Sequence, residues 1–167
     1  MRSWYAVYTH TREELLAQEN LARQGFEIYW PRYRKRVSHA RRVQEAPASL
    51  FPRYLFAAFD PVETGWRSIR STRGVVSIVT QGYDPVRISE RLIADIRTRE
   101  DLEGFVVLGR QIELQKGQRI QLKGNALSAC NVIFEAKKDS ERVVALLTLL
   151  GRQFTVDVPV AQIMPAH

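Results

Sequence analysis

Short runs rich in aromatic and β-branched residues, separated by helical patterns, are the feature that most constrains the fold of this chain. The strand-like runs occupy residues 4–9, 26–30, 55–59 and 75–79. Helical patterns occupy residues 11–24, 63–71 and 89–97. The order β-α-β-β-α-β-α predicts an α+β fold, a split βαβ sandwich in which helices cover one face of an antiparallel sheet.

The sequence changes in character after about residue 101. The predicted parts are an N-terminal domain over residues 1–101, a linker over 102–114 and a smaller C-terminal domain over 115–167. In the last part, apolar and polar residues alternate at 119–123 and 154–158, which is typical of strands in a small β-barrel. Residues 143–150 also place apolar side chains one helical turn apart, so a helical conformation stays an alternative there.

Composition limits the class of protein. With 45% hydrophobic and 26% charged residues, the chain is expected to fold as a soluble globular protein. No apolar stretch approaches the roughly 20 residues of a membrane-spanning helix, and the first residues lack the pattern of a signal peptide. The single cysteine, Cys130, cannot form an internal disulfide. We therefore expect a cytoplasmic protein without a membrane partner, and we expect it to be a monomer.

A basic segment without any acidic residue runs from residue 28 to residue 44. Its positive side chains are Arg32, Arg34, Lys35, Arg36, Arg41 and Arg42. Together with the net charge of +7, these side chains predict contact with the phosphates of a nucleic acid, which arginines bind in a salt-sensitive and sequence-independent way. The alternative interpretation is a hairpin tip that its charge keeps solvated.

The run Leu-Phe-Pro-Arg-Tyr-Leu-Phe at residues 50–56 is apolar and aromatic. Because alternate residues of a strand face opposite sides, Tyr54 and Phe56 are predicted to share one face of the sheet, to which Tyr8 could add. Three aromatic side chains on one face are ordinary core if they are covered, and a protein-binding groove if they are exposed. The residues alone favour core.

The sequence contains no recognisable pattern of a catalytic or metal site. His10, His39 and His167 are far apart, and none has a second ligand at the spacing typical of metal sites. A Gly-x-Ser-x-Gly motif and a phosphate-binding loop are both missing, and Cys130 lies among apolar residues. We therefore expect no enzymatic activity, no metal and no cofactor.

Four segments of the chain resemble the NusG family of bacterial transcription elongation factors. They are Ser-Trp-Tyr-Ala-Val-Tyr at 3–8, the run at 50–56, Ser-Thr-Arg-Gly-Val at 71–75, and the segment 149–158 that begins Leu-Leu-Gly-Arg. The first three match the N-terminal domain of the family, and the last is similar to its C-terminal KOW β-barrel. Trp4, Phe56 and the Asp-Pro pair at 60–61 most resemble the RfaH-type specialised members.

The resemblance implies a protein that binds RNA polymerase. In the family, the N-terminal domain docks on the clamp helices of the polymerase β′ subunit, bridges to the β gate loop and suppresses pausing. The residues that match the docking groove are Tyr8, Phe51, Pro52, Tyr54, Phe56 and Ile93. The stretch that matches the gate-loop contact contains Trp66, Arg67 and Ser68. This implication favours a groove, rather than core, for the three aromatic residues discussed above.

RfaH-type proteins also read a hairpin in the displaced non-template DNA strand. The matching positions in this chain are His10, Arg23, Gln24, Thr72 and Arg73, and the side chains of the basic segment join them as candidate DNA contacts. Amide and guanidinium groups can hydrogen-bond to unpaired bases, which makes this implication chemically sound.

The C-terminal part carries two further implications of the resemblance. One is a contact with the ribosome or with Rho, for which the matching residues are Leu149, Leu150 and Arg152. The other is the ability of RfaH-type C-terminal domains to exist either as a helical hairpin or as a barrel, which requires two packings within a few kcal/mol of each other.

Two alternative functions stay open from the sequence. The first is a general housekeeping NusG that acts with Rho or the ribosome. The second is an RNA-binding or ribosome-associated module that uses the basic segment without any polymerase.

Overall fold

A computed structural model describes residues 1–63 and 65–108, together with Arg142 and Leu146. The contacts of the chain form two compact units, Met1–Pro31 with Arg53–Ile93, and Arg32–Pro52 with Ala94–His167. The predicted barrel, residues 109–114 of the predicted linker and the candidate residues Leu149, Leu150 and Arg152 lie outside the described residues. The predicted domain boundaries and the fold of residues 115–167 therefore stay predictions.

The described elements include the four predicted strands and the three predicted helical segments, the second of which is a 3₁₀ helix, together with five further strands. In chain order they are β1 (Ser3–Thr9), α1 (Glu14–Arg23), β2 (Glu27–Tyr29), β3 (Arg32–His39), β4 (Arg42–Ser49), β5 (Tyr54–Phe59), a 3₁₀ helix (Trp66–Ser71), β6 (Val75–Ile78), β7 (Thr80–Gln81), β8 (Asp84–Pro85), β9 (Arg87–Ile88) and α2 (Glu90–Arg97).

The first unit is built on an antiparallel sheet with the strand order β2-β5-β1-β6, and β9 pairs with β1 beside β6. β1 is the central strand and pairs with β5 over six residues in an unbroken register. This arrangement of helices with an antiparallel sheet confirms the predicted α+β class.

One face of this sheet carries the hydrophobic core of the unit. Tyr5 and Val7 of β1 and Leu55 of β5 point to the same side, because strand residues alternate between the two faces. Leu21 of α1 and Ile69 of the 3₁₀ helix pack against them, and both are fully buried. Burial of each such side chain contributes roughly 2 kcal/mol, so this face fixes the positions of α1 and the 3₁₀ helix.

α1 begins later than the sequence pattern predicts. The pattern Thr11-x-x-Glu14 is typical of a capping box, but the helix begins at Glu14, and no side chain caps its first turn at Glu13. The Glu14 carboxylate instead accepts a hydrogen bond from the backbone N–H of Arg53, at 3.0 Å. The end of α1 agrees with the prediction, since Gly25 follows it with a φ of 89° that favours glycine.

The second unit contains a β-hairpin formed by β3 and β4, which pair along eight residues from Arg32–Ser49 to His39–Arg42. Two residues, Ala40 and Arg41, form its turn, and both have positive φ, at 49° and 64°. Such a turn matches the right-handed twist of the strands but favours asparagine and glycine. The hairpin predicted from the basic segment is therefore present, with a strained turn.

Only two residues of the C-terminal part are described, and both are in helical conformation and buried. They are Arg142 and Leu146, and of the two only Leu146 belongs to the apolar periodicity of residues 143–150, which stays a prediction. The Arg142 guanidinium carbon lies 4.1 Å from the ring centroid of Tyr33 on β3.

Candidate functional site

The register of β1 and β5 brings the predicted aromatic side chains onto one surface. Tyr8 pairs with Tyr54, and their ring centroids are 5.1 Å apart at an angle of 44°. Phe56 lies two residues further along β5 and stacks with Tyr29 of β2 at 6.4 Å. We call Tyr8, Tyr29, Tyr54 and Phe56 the aromatic face. It lies opposite the core face, so the predicted shared face is confirmed.

The aromatic face is covered in this structure. Tyr8 is 2% exposed, and Tyr54 and Phe56 are 0% exposed. Phe51 and Ile93, which the resemblance also implies, are buried too, and Pro52 is half-buried. A partner can reach the aromatic face only after a change that uncovers it.

The hydroxyl of Tyr54 is buried and has no hydrogen-bond partner among the residues that the structure describes. Burial raises the pKa of this hydroxyl, the neighbouring Tyr8 raises it further, and the positive charge of Arg53 partly opposes the rise. A buried hydroxyl without a partner costs about 1–3 kcal/mol. The aromatic face therefore carries a polar group that its own fold does not satisfy.

Arg53, between the proline and the tyrosine of the aromatic run, has an unusual backbone with a φ of 68°. Its carbonyl accepts a hydrogen bond from the Thr9 N–H at 2.8 Å, and three further contacts hold the residue there. Its N–H donates to the Glu14 carboxylate, its Nε donates to the carbonyl of Thr9 at 3.1 Å, and its guanidinium carbon lies 4.2 Å from the Tyr8 ring centroid. No sequence pattern indicates a role for Arg53, because a left-handed arginine leaves no pattern in a sequence.

An open cleft of about 470 Å³ lies between the end of β1 and the loop that leads into β6. His10 and Glu13 line one side, and residues 70–75 line the other. The cleft brings together His10, Thr72 and Arg73, three of the predicted DNA contacts, and adds Arg70. Imidazole, guanidinium and hydroxyl groups in one open cleft suit a phosphate or the edge of an unpaired base.

The remaining predicted DNA contacts of this unit lie beside the cleft in a hydrogen-bonded network. Gln24 donates to the hydroxyl of Thr72 at 2.7 Å, and that hydroxyl donates to the carbonyl of Ser68 at 2.9 Å. Arg23 donates to Asn20, which in turn donates to the carbonyl of Arg73. Thr72 is buried, so its hydroxyl positions Gln24 in this structure and is not presented to solvent.

The predicted gate-loop residues lie on and next to the 3₁₀ helix. The Trp66 indole stacks on Phe59 with centroids 6.1 Å apart and donates to the carbonyl of Pro61 at 3.1 Å. The guanidinium carbons of Arg67 and Arg70 lie 5.9 Å and 5.8 Å from the Trp66 ring centroid. Trp66 is therefore half-buried and held in place, whereas Arg67 and Ser68 are exposed.

The basic side chains of the hairpin differ in their availability. Arg34 forms ion pairs with Asp101 and Glu103, and its guanidinium carbon lies 4.3 Å from the Phe105 ring centroid. Contact of Arg34 with a phosphate would require these ion pairs to break. The exposed lysine and arginine side chains of the hairpin are Lys35, Arg36, Arg41 and Arg42.

The ion pair between Arg34 and Asp101 leads to a prediction about how the free energy of unfolding changes at acidic pH. The hydrogen bond from Arg34, followed by that from the Phe105 N–H, lowers the pKa of Asp101. A carboxylate with a lowered pKa stabilises the fold above its unfolded pKa, near 3.9, and loses that contribution as the pH falls through the folded pKa. Below about pH 4, the free energy of unfolding of wild type should therefore fall more steeply than that of Asp101→Asn.

Denaturant titrations between pH 5 and pH 2 would measure this difference. Asp84→Asn, which removes an exposed carboxylate on β8, is the matched control and should follow wild type. An Asp101→Asn curve parallel to that of wild type through this pH range would contradict the prediction.

The aromatic face, the open cleft with its cationic side chains and the basic β-hairpin are features typical of a protein that binds macromolecules. The family described as "Transcription termination factor nusG" matches residues 2–97, more than half of the chain. The chain therefore belongs to the NusG family. In the described residues, we find no group of three His, Cys, Asp or Glu side chains that could hold a metal ion, and no helix long and apolar enough to cross a membrane.

Curated relatives agree with this assignment along most of the chain. Proteins named "Transcription termination/antitermination protein NusG" from Staphylococcus aureus strains Mu50 and N315 are each 22% identical over 172 residues, covering 97% of this chain and 94% of theirs. A solved structure titled "Domain interaction in Thermotoga maritima NusG" aligns at 22% identity with a TM-score of 0.42, covering 75% of this chain and 68% of that one.

Proposed function

We propose that this chain acts by binding bacterial RNA polymerase through its aromatic face, and not by catalysis. The β′ clamp helices are the proposed binding site, and contact of Arg67 and Ser68 with the β gate loop would close the polymerase cleft and suppress pausing. The observation that best supports this proposal is that Tyr8 pairs with Tyr54 beside Phe56, on the side of the sheet opposite the core face. Phe51, Pro52 and Ile93 join the proposal through the resemblance.

The cleft supports a second part of the proposal, contact with the non-template DNA strand. His10 and Arg73 line the cleft, and Arg23 and Gln24 lie on the adjoining end of α1. Exposed cationic and amide groups in such a cleft can hold a phosphate and hydrogen-bond to an unpaired base. In this part of the proposal, the Thr72 hydroxyl positions the Gln24 side chain by accepting its hydrogen bond.

Transcription on a template with one strong pause site tests the proposed function. Addition of the full chain to halted polymerase complexes should shorten the pause, and the Arg73→Ala variant should shorten it less. A pause of unchanged duration, together with no measurable binding of the chain to polymerase, would overturn the proposal.

The hairpin predicts a salt-dependent contact with duplex DNA. Neutralisation of Arg41 and Arg42 by glutamine should reduce the slope of log Kd against log salt by about 2, since each phosphate contact contributes about 0.9 to the slope. Fluorescence anisotropy with a labelled duplex at several salt concentrations would measure it. Arg87→Gln/Arg91→Gln removes the same charge from exposed positions elsewhere, and an equal loss of slope in that control would contradict the prediction.

The exposed hairpin also favours one alternative, a module that binds RNA or the ribosome without polymerase. Under this alternative, the variant Tyr54→Ala/Phe56→Ala should bind RNA as well as wild type does. A general NusG that acts with Rho or the ribosome is the alternative within the family, and the presence of a second NusG gene in the same genome would argue against it. Cytoplasmic location and a monomeric state belong to the proposal in each case.

A further inference from the structure

Hydrogen-bonding atoms of two residues at the aromatic face have no partner among the described residues. The hydroxyl of Tyr54 is buried and makes no hydrogen bond with this part of the chain. Arg53 uses its N–H and its Nε within the fold, and no hydrogen bond of its two Nη nitrogens is present among the described residues. Arg53 and Tyr54 both contact the ring of Tyr8, at 4.2 Å and 5.1 Å, so they belong to one surface.

The backbone of Arg53 indicates that this arrangement is costly. A φ of 68° is a left-handed conformation, which costs an arginine roughly 1–2 kcal/mol, and glycine or asparagine would adopt it more readily. The Glu14 carboxylate and the Thr9 carbonyl nevertheless fix the residue from two sides. Strain that the surrounding structure maintains is characteristic of functional positions.

We propose that the Nη donors of Arg53 and the hydroxyl of Tyr54 together bind a carboxylate of the polymerase helix that docks on the aromatic face. This inference rests on the proposed function and adds the chemistry of the partner, an acidic residue on an otherwise apolar helix surface. An arginine presents paired donors that match a carboxylate, and a tyrosine hydroxyl donates a third hydrogen bond. The Tyr54 hydroxyl is buried, and a hydrogen bond to a charged group is stronger where water is excluded.

Two conservative variants of the full chain separate this role from packing. Tyr54→Phe removes only the hydroxyl and keeps the ring, while Arg53→Asn keeps a residue that tolerates positive φ. Each variant should weaken binding to bacterial core RNA polymerase by about 10- to 100-fold, the usual effect of losing a hydrogen bond to a charged group. Arg53→Asn should also lower the salt dependence of the affinity, because an ion pair is lost.

Stability measurements and a matched control variant test whether binding weakens only because a variant is less well folded. Tyr54→Phe should melt at or above the temperature of wild type, since the variant lacks the unsatisfied buried hydroxyl. Arg12→Asn is the matched control for Arg53→Asn, because Arg12 has a similar φ of 63° but is exposed and lies outside the aromatic face. It should bind polymerase with the affinity of wild type.

A double-mutant cycle then identifies the partner. Among amide substitutions of the acidic residues on the β′ clamp helices, one should weaken binding of wild type and cause no further loss with Arg53→Asn. Wild-type affinity in both Arg53→Asn and Tyr54→Phe, alongside loss of binding in Tyr54→Ala/Phe56→Ala, would overturn this inference and leave the proposed function intact. No binding of wild type to polymerase would overturn both.

Discussion

The double variant Tyr54→Ala/Phe56→Ala is expected to lose nearly all affinity for bacterial core RNA polymerase. Buried aromatic anchors at the centre of an interface each contribute about 2 kcal/mol or more, so the loss of two should weaken binding by roughly a thousandfold. Equilibrium binding of the labelled chain to polymerase would measure the change. Retention of wild-type affinity would contradict the docking role of the aromatic face.

Because Tyr54 and Phe56 are completely buried, their truncation also lowers stability. Leu55→Ala is the matched control, since Leu55 lies between them on β5 but belongs to the core face. This control should cost about 2–5 kcal/mol of stability without any loss of affinity per folded molecule. Tyr54→Leu/Phe56→Leu keeps apolar volume and provides a second test if the alanine variant does not fold.

Substitution of Gly74 by alanine is expected to lower the free energy of unfolding by about 3 kcal/mol or more. Gly74 has a φ of 93°, and an added Cβ would lie 2.8 Å from the backbone nitrogen of Ala17 in α1. The contacted atom belongs to the backbone of α1, and a Cβ has a fixed position on its own backbone, so relief requires α1 and the loop to separate. Denaturant titration of the two proteins would give the difference.

Gly25→Ala isolates the effect of close packing in this comparison. Gly25 has a nearly identical φ of 89°, but no atom lies within 4 Å of an added Cβ. The Gly25→Ala variant should therefore lose only the free energy that the left-handed conformation costs an alanine, about 1 kcal/mol. Equal destabilisation by the two substitutions would contradict the argument. Since the Gly74 carbonyl accepts the His10 N–H at 3.0 Å, Gly74→Ala should also weaken DNA binding at the cleft.

The strands and helices of the first unit could be predicted because local patterns determine them. Alternation in residues 54–59 gave the shared face of Tyr54 and Phe56, and Gly25 gave the end of α1. Pairing partners depend on residues distant in sequence. The short strand β9 was therefore missed, although Ile88 pairs with Trp4 at the edge of the sheet.

The candidate site could be predicted only in part, for the same reason. Charge alone indicated Arg34 as a nucleic-acid contact, but its ion pairs depend on Asp101 and Glu103, far along the chain. Arg70 gave no signal of its own, and only the fold places it in the cleft. The burial of Thr72 depends on how the loop packs against α1, which composition cannot reveal.

The covered state of the aromatic face has a thermodynamic consequence for any partner that needs it. A surface that is uncovered in only a fraction of molecules binds with its intrinsic affinity multiplied by that fraction. An uncovering cost of about 1.4 kcal/mol lowers the apparent affinity tenfold, and about 2.7 kcal/mol lowers it a hundredfold. Substitutions that make the aromatic face easier to uncover should therefore strengthen polymerase binding, even at positions that do not contact polymerase. The fraction of polymerase with the protein bound would then depend on this conformational equilibrium as much as on the amount of protein.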